Sequence, residues 1–215
     1  MTDGFLTAIA AISMALPEGP GSGYRKPDEV VADPETARRM LVEGNARFAE
    51  NRPMPRTTIV EDRAVASRGQ WPFAAIITCS DSRVAPELYF DRKMGDLFVI
   101  RNAGNIADST ALGSMEYAVE HLGVRLVVVV GHESCGAVNG AFGPPHGASA
   151  NLRGILDRVR TNAPNSRNPE EAILENIRSV RDTLAANDAV RKTGTFVLGG
   201  FFHLDSGRVD FLDRA

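Results

Sequence analysis

The sequence predicts an α/β domain: a doubly wound, mostly parallel β-sheet with flanking helices, a last strand running antiparallel, and an N-terminal helical arm. Three observations carry that prediction. Continuous apolar runs recur at 73–78 (FAAIIT), 97–100 (LFVI) and 126–130 (LVVVV), a pattern that suits strands buried on both faces. Segments with apolar residues at helical spacing lie between and after these runs, opened by capping residues or by a proline at the first helical position. No internal repeat, low-complexity tract or apolar stretch of membrane-spanning length interrupts the pattern.

The elements follow in order. Phe5 to Leu16 is an apolar run of twelve, shorter than a membrane span and preceded by Asp3 rather than by basic residues. It reads as a helix packed on the body or on a partner subunit, with a trimmed targeting segment as the alternative. Pro17 to Pro27, rich in proline and glycine, reads as a flexible connector. Residues 1–32 therefore form an arm and linker, and 33–215 a single domain. Asp33-Pro34-Glu35 offers an N-cap, a proline at the first helical position and an acid in the first turn, so a helix runs to about Ala49. After the first two strands, Asp108-Ser109-Thr110 caps a helix through Met115, Tyr117 and Leu122 that stops at Gly123, and the LVVVV run completes a βαβ unit. A helix follows over 152–159. Pro169 opens a long one with Ile173, Ile177, Val180 and Leu184 on one side, ending at Gly194. Phe196 to Phe202 and Val209 to Leu212, separated by Asp205-Ser206-Gly207, read as strands joined by a turn.

At 215 residues and 43% hydrophobic content the chain supports one sizeable core. Its net charge of -3 and pI near 5.8, with Lys and Arg spread along the chain, give no electrostatic reason to expect nucleic acid or a membrane surface. Small or neutral substrates fit better. Nucleotide binding is disfavoured as well, because no glycine-rich phosphate loop follows any of the strands.

Both cysteines stand in metal-ligand settings. Cys79 opens Cys79-Ser80-Asp81-Ser82-Arg83 and Cys135 closes His132-Glu133-Ser134-Cys135. Cys79 directly follows FAAIIT and His132 follows LVVVVG, which puts both at the carboxyl ends of parallel strands, where ligands of doubly wound sheets collect. Cys135 shares a face with His132 if Glu133 begins a helical turn. A Cys₂His set leaves the fourth tetrahedral position of zinc open, the catalytic pattern. The alternatives are one disulfide, or core cysteines beside a core histidine. Asp81 and Arg83, two apart, project to the same side. The arginine can hold the carboxylate bidentately while Asp81 serves as a fourth ligand in a closed state or as acceptor for a zinc-bound water, the alternative being a solvent-facing salt bridge. His121, His146 and His203 lack partners at ligand spacing and read as surface or core residues.

The motifs CSDSR, GDLFVIRNAGN (95–105), MEYAVEHLGV and GHESCGAV (131–138) resemble those of the β-class carbonic anhydrases, in order, from about Ala37 to Leu212. The resemblance implies a zinc lyase that hydrates carbon dioxide reversibly to bicarbonate and a proton by zinc-bound hydroxide. It makes Cys79, His132 and Cys135 the Zn²⁺ ligands and Asp81 with Arg83 the catalytic dyad. It also implies a carbon dioxide pocket lined by Gln70, Phe98 and Tyr117, assembled across the interface of a homodimer or homotetramer. Some bacterial members keep a tryptophan three positions before the first cysteine in a regulatory bicarbonate site. Ile76 stands there in this chain, with Arg101 at the position of that site's arginine and the single tryptophan, Trp71, elsewhere. Zinc held by two thiolates and a neutral imidazole is formally uncharged and acidifies its water less than a three-histidine site, so activation is expected on the alkaline side, with Asp81 displacing the water as pH falls. A hydrolase of carbon disulfide or carbonyl sulfide and a non-catalytic zinc protein remain the alternatives. Thiolate ligands and the missing basic segment favour the cytoplasm, with export the alternative if residues 5–16 are a targeting remnant.

Overall fold

The computed structural model describes residues 33–55, 59–143 and 147–212. The arm and linker expected over 1–32, and His146, lie outside them. Helix α1 (Pro34–Ala49) begins as its sequence dictates: the Asp33 carboxylate accepts hydrogen bonds from the Glu35 and Thr36 amides at 3.2 and 3.0 Å, and Pro34 occupies the first turn. The remaining elements are α2 (Ile59–Ala66), β1 (Ala74–Cys79), α3 (Pro86–Tyr89), β2 (Leu97–Asn102), α4 (Ser109–His121), β3 (Leu126–His132), α5 (Gly136–Phe142), α6 (Ala150–Asn162), α7 (Pro169–Ala185), α8 (Asp188–Thr193), β4 (Phe196–Phe202) and β5 (Val209–Leu212).

The five strands form one sheet in the order β2-β1-β3-β4-β5, parallel except for β5, which returns antiparallel along β4. Every residue of β1 and β3 is buried, as their unbroken apolar runs require of strands covered on both faces. Helices flank the sheet, with α7 packed on β3 and β4 and against α6. Among the described residues no helix is long and apolar enough to cross a membrane.

Three expectations are corrected. The strands run further than their apolar runs, because backbone pairing continues through Cys79 with Asn102 and through His132 with Phe202. Cys79 and His132 are thus the last residues of their strands rather than the first beyond them. The long helix from Pro169 does not reach Gly194. It ends at Ala185, and Asn187 starts α8 by accepting from the Ala189 amide at 2.9 Å while its side-chain amide donates to Glu116 at 2.8 Å. The short helices α2 and α3 have no counterpart among the expected elements, and α5 starts later than the turn considered at Glu133.

Close packing between sheet and helix decides the residue before His132. A Cβ on Gly131 would lie 2.7 Å from Cδ1 and Cγ1 of Ile177 on α7, so glycine lets that helix sit directly on the end of β3. We predict that Gly131→Ala lowers unfolding free energy by about 1–3 kcal/mol, measured by urea denaturation; an unchanged midpoint would show that α7 yields freely there.

Candidate metal centre

The site is built by strand register. Thr78 lies opposite Val130 in the β1–β3 pair and donates its hydroxyl to the Val130 carbonyl at 2.9 Å. Cys79 and His132 consequently end neighbouring strands at the same sheet edge. Cys135 arrives by a tight turn in which Ser134 takes φ 51°, a left-handed conformation. The helical turn expected at Glu133 is absent: α5 begins only at Gly136, and Cys135 is its N-cap with φ -65° and ψ 117°. The two sulfurs are 3.9 Å apart, and one ligand atom from each of Cys79, His132 and Cys135 falls within 4.8 Å of the others. All three residues are buried.

The donor set fits zinc. Two sulfurs on a tetrahedral zinc at about 2.3 Å stand roughly 3.8 Å apart, close to the observed separation. Both cysteines are free, and 3.9 Å is far beyond an S–S bond. Nδ1 of His132 lies 2.8 Å from the Glu133 carbonyl oxygen, which only accepts, so Nδ1 carries the proton and Nε2 presents its lone pair. That buried Nε2 has no hydrogen-bond partner. An orphan of this kind costs about 1–3 kcal/mol unless something completes it. The two sulfurs share a hydrogen bond that, against the burial penalty, draws the Cys79 pKa down, helped by His132 and by the amides of Gly104 and Asp81. The same bond, with burial, pushes Cys135 up. One thiolate forms readily, and the second calls for a cation.

The surrounding shell aims these ligands. Gly104, at φ 76°, donates its amide to Cys79 Sγ at 3.4 Å. Its carbonyl accepts from the fully buried Asn176 of α7 at 2.9 Å, and Asn176 in turn accepts from Asn162 at 2.8 Å. Arg101 on β2 clamps the loop after β1, Nε donating to the Cys79 carbonyl at 3.0 Å and Nη2 to the Asp81 carbonyl at 2.7 Å. Asp81 itself is paired bidentately with Arg83, Nε to Oδ1 at 2.9 Å and Nη2 to Oδ2 at 2.8 Å, with the Arg83 amide also on Oδ1 at 3.0 Å. These bonds hold the Asp81 carboxyl well below the usual carboxylate range. Asp81 Oδ2 stands 4.0 Å from His132 Nε2, at the margin of the ligand cluster and turned to the arginine.

The other expected site residues lie elsewhere. Phe98, near the start of β2, is opposite Ala75, whereas Cys79 is opposite Asn102 at its end. Four residues of strand, about 13 Å, separate them. Tyr117 on α4 lies against Phe98, ring centroids 6.1 Å apart, and the exposed Gln70 precedes β1. Within one chain these three belong to the amino-terminal side of the sheet and the ligands to the carboxyl side. Ile76 is wholly buried in β1. His121 stacks near Tyr117 at 5.4 Å, and His203 bridges Glu133 and Asp210. Sequence reasoning assigned no role to Glu133, Gly104 or Asn176. Glu133 was in view inside His-x-x-Cys, but nothing in the order of residues signals that Asn176, 72 positions from Gly104, supports it.

Comparison with known proteins agrees with the geometry. Residues 74–209, well over half of the chain, match the family model described as carbonic anhydrase. Carbonic anhydrase 2 of Mycobacterium tuberculosis is 37% identical over 195 residues, covering 85% of this chain and 94% of that protein. Among solved structures, a Coccomyxa β-carbonic anhydrase in complex with acetazolamide superposes with TM-score 0.64 at 25% identity, covering 81% of this chain and 85% of that one. One of two tetrameric β-carbonic anhydrases from Sordaria macrospora does so with TM-score 0.61 at 27% identity, covering 84% and 98%.

Because Arg101 bonds two carbonyls of the ligand loop, Arg101→Met is expected to weaken metal binding at this cluster about tenfold, the low end for an outer-shell change. Competition with a chromophoric chelator measures it, and an affinity equal to that of the unaltered protein would deny the clamp.

Proposed function

The chain belongs to the β-class carbonic anhydrases, and we propose that it hydrates carbon dioxide reversibly to bicarbonate and a proton at a zinc held by Cys79, His132 and Cys135. The observation that carries this reading is the convergence of two buried sulfurs and an unpartnered His132 Nε2 beside the Asp81–Arg83 pair. Zinc bound there would supply a water acidic enough, once ionised, to attack carbon dioxide.

The protein's own groups do the rest. The Glu133 carbonyl keeps His132 in the tautomer whose Nε2 can bind metal. Asp81, held ionised by Arg83, accepts hydrogen bonds only, so it can orient a water by accepting a hydrogen bond from it. Arg83 occupies both oxygens of Asp81 and thereby opposes the closed state in which that carboxylate is a fourth ligand. An open coordination position argues for a catalyst over a purely structural zinc site. Gln70, Phe98 and Tyr117 are the proposed walls of the carbon dioxide pocket. Their distance from the ligands within one chain supports completion of the pocket by a second subunit, in a homodimer or a homotetramer. Thiolate ligands suit a reducing compartment such as the cytoplasm.

Asp81→Ala and Arg83→Ala should each retain zinc yet lose about a hundredfold or more of hydration rate, whereas Cys135→Ser should lose the metal itself. Stopped-flow pH-indicator assays on metal-quantified protein check this, and wild-type turnover in the Asp81 variant would defeat its role. Removing zinc with a chelator should abolish hydration while far-ultraviolet circular dichroism persists, since the buried aliphatic core of β1 and β3 needs no metal. Activity surviving complete zinc removal would overturn the proposal.

A further inference from the structure

His203 lies just past β4, outside the metal cluster, and both of its ring nitrogens are engaged by carboxylates. Nδ1 is 3.0 Å from Glu133 Oε1, and Nε2 is 2.8 Å from Asp210 Oδ2 on β5. Ionised carboxylates only accept, so both nitrogens donate and the ring is an imidazolium. Burial opposes that charge, but the bonds to Asp210 and Glu133 outweigh it and raise the His203 pKa. The two carboxylates sit on opposite sides of the ring, and these three residues do not form a metal-holding cluster, which among the described residues is Cys79, His132 and Cys135 alone.

The other end of the chain of contacts is a ligand. Glu133 Oε2 accepts the Leu204 amide at 2.8 Å, so its carboxylate is fixed by two donors from the β4–β5 connection. The Glu133 amide donates to the Phe202 carbonyl at 3.2 Å. The Glu133 carbonyl is the group that receives Nδ1–H of His132 at 2.8 Å. Glu133 is therefore held by side chain and amide, and its remaining polar atom orients the imidazole. The peptide needs such support, because the next residue, Ser134, is left-handed at φ 51°.

We infer that His203 is a positioning residue for the metal centre, holding Glu133 so that the Glu133 carbonyl fixes the tautomer and direction of ligand His132. Asp210 and the edge-on Phe201 ring, 4.8 Å from the imidazole, hold His203 in turn. This inference rests on the zinc reading above. It assigns the bond to Glu133 the decisive part, so the atom that matters is Nδ1.

Paired substitutions separate the two nitrogens. The asparagine amide of His203→Asn can occupy the place of Nδ1 and the glutamine amide of His203→Gln that of Nε2. His203→Asn should keep zinc affinity within about twofold of the unaltered protein, and His203→Gln should lose about tenfold, both read by chelator competition on the full chain. The cobalt-substituted protein should show a shifted visible spectrum for Gln and not for Asn. Thermal midpoints with and without zinc add a further readout: a merely structural role would lower both midpoints equally, whereas positioning narrows the gap between them. Equal affinities for both variants, or equal losses in both midpoints, would overturn the role of His203 while leaving the zinc site standing. Absence of zinc binding by the unaltered protein would overturn the zinc reading and this inference together.

Discussion

The parallel register of β1 on β3 is the constraint from which the site follows. Thr78 opposite Val130 brings Cys79 and His132 to neighbouring strand ends although 53 positions separate them in sequence. A slip of one residue would turn the side chains of β3 to the other face and move His132 along the edge. Because both strands are buried at every position, alternation of polar and apolar residues does not specify that register. Packing and hydrogen bonding do so instead: the Thr78 hydroxyl bond to Val130, and Gly131, whose missing side chain makes room for Ile177.

The same edge collects the backbone dipoles that thiolates need. The Gly104 amide reaches Cys79, and the amides of Ala137 and Val138 at the head of α5 favour negative charge on Cys135. In a buried site these donors lower the cost of charge that water would otherwise bear. They cannot carry two thiolates unaided, since two negative sulfurs 3.9 Å apart repel, and a divalent cation held by both relieves that repulsion. Polarity toward an anion and affinity for a cation are thus two properties of one arrangement.

The sequence disclosed those parts of the site that are local. Cys79-x-Asp81-x-Arg83 and His132-x-x-Cys135 are compact enough for residue spacing to limit geometry, and the ion pair formed as expected. Strand placement was readable because LVVVV and FAAIIT leave few options for burial. What stayed hidden depends on long-range contacts. Asn176 supporting Gly104 and His203 supporting Glu133 join elements 72 and 70 positions apart. The break at Asn187 is made by its side chain, which caps the next helix at the Ala189 amide and reaches Glu116, a contact 71 positions away. The start of α5 after Cys135 was likewise set by the left-handed Ser134 rather than by composition.

The separation of Phe98 and Tyr117 from the ligands bears on how a shared pocket could work. Both rings sit by the beginning of β2, and the strand itself is a rigid spacer between them and the end bearing Asn102 opposite Cys79. No rotamer change spans that distance. In a twofold pair the same surface serves each copy, so one interface that sets the first chain's aromatic pair over the second chain's metal edge does the converse as well. Such an arrangement divides the labour physically. The ligand set depends on register and hydrogen bonds within a chain, whereas an apolar wall depends on burial against another surface, which association supplies as it excludes water. Under the proposed function, one chain would hold the metal while association completes the pocket, so metal binding and catalysis need not depend on assembly to the same degree.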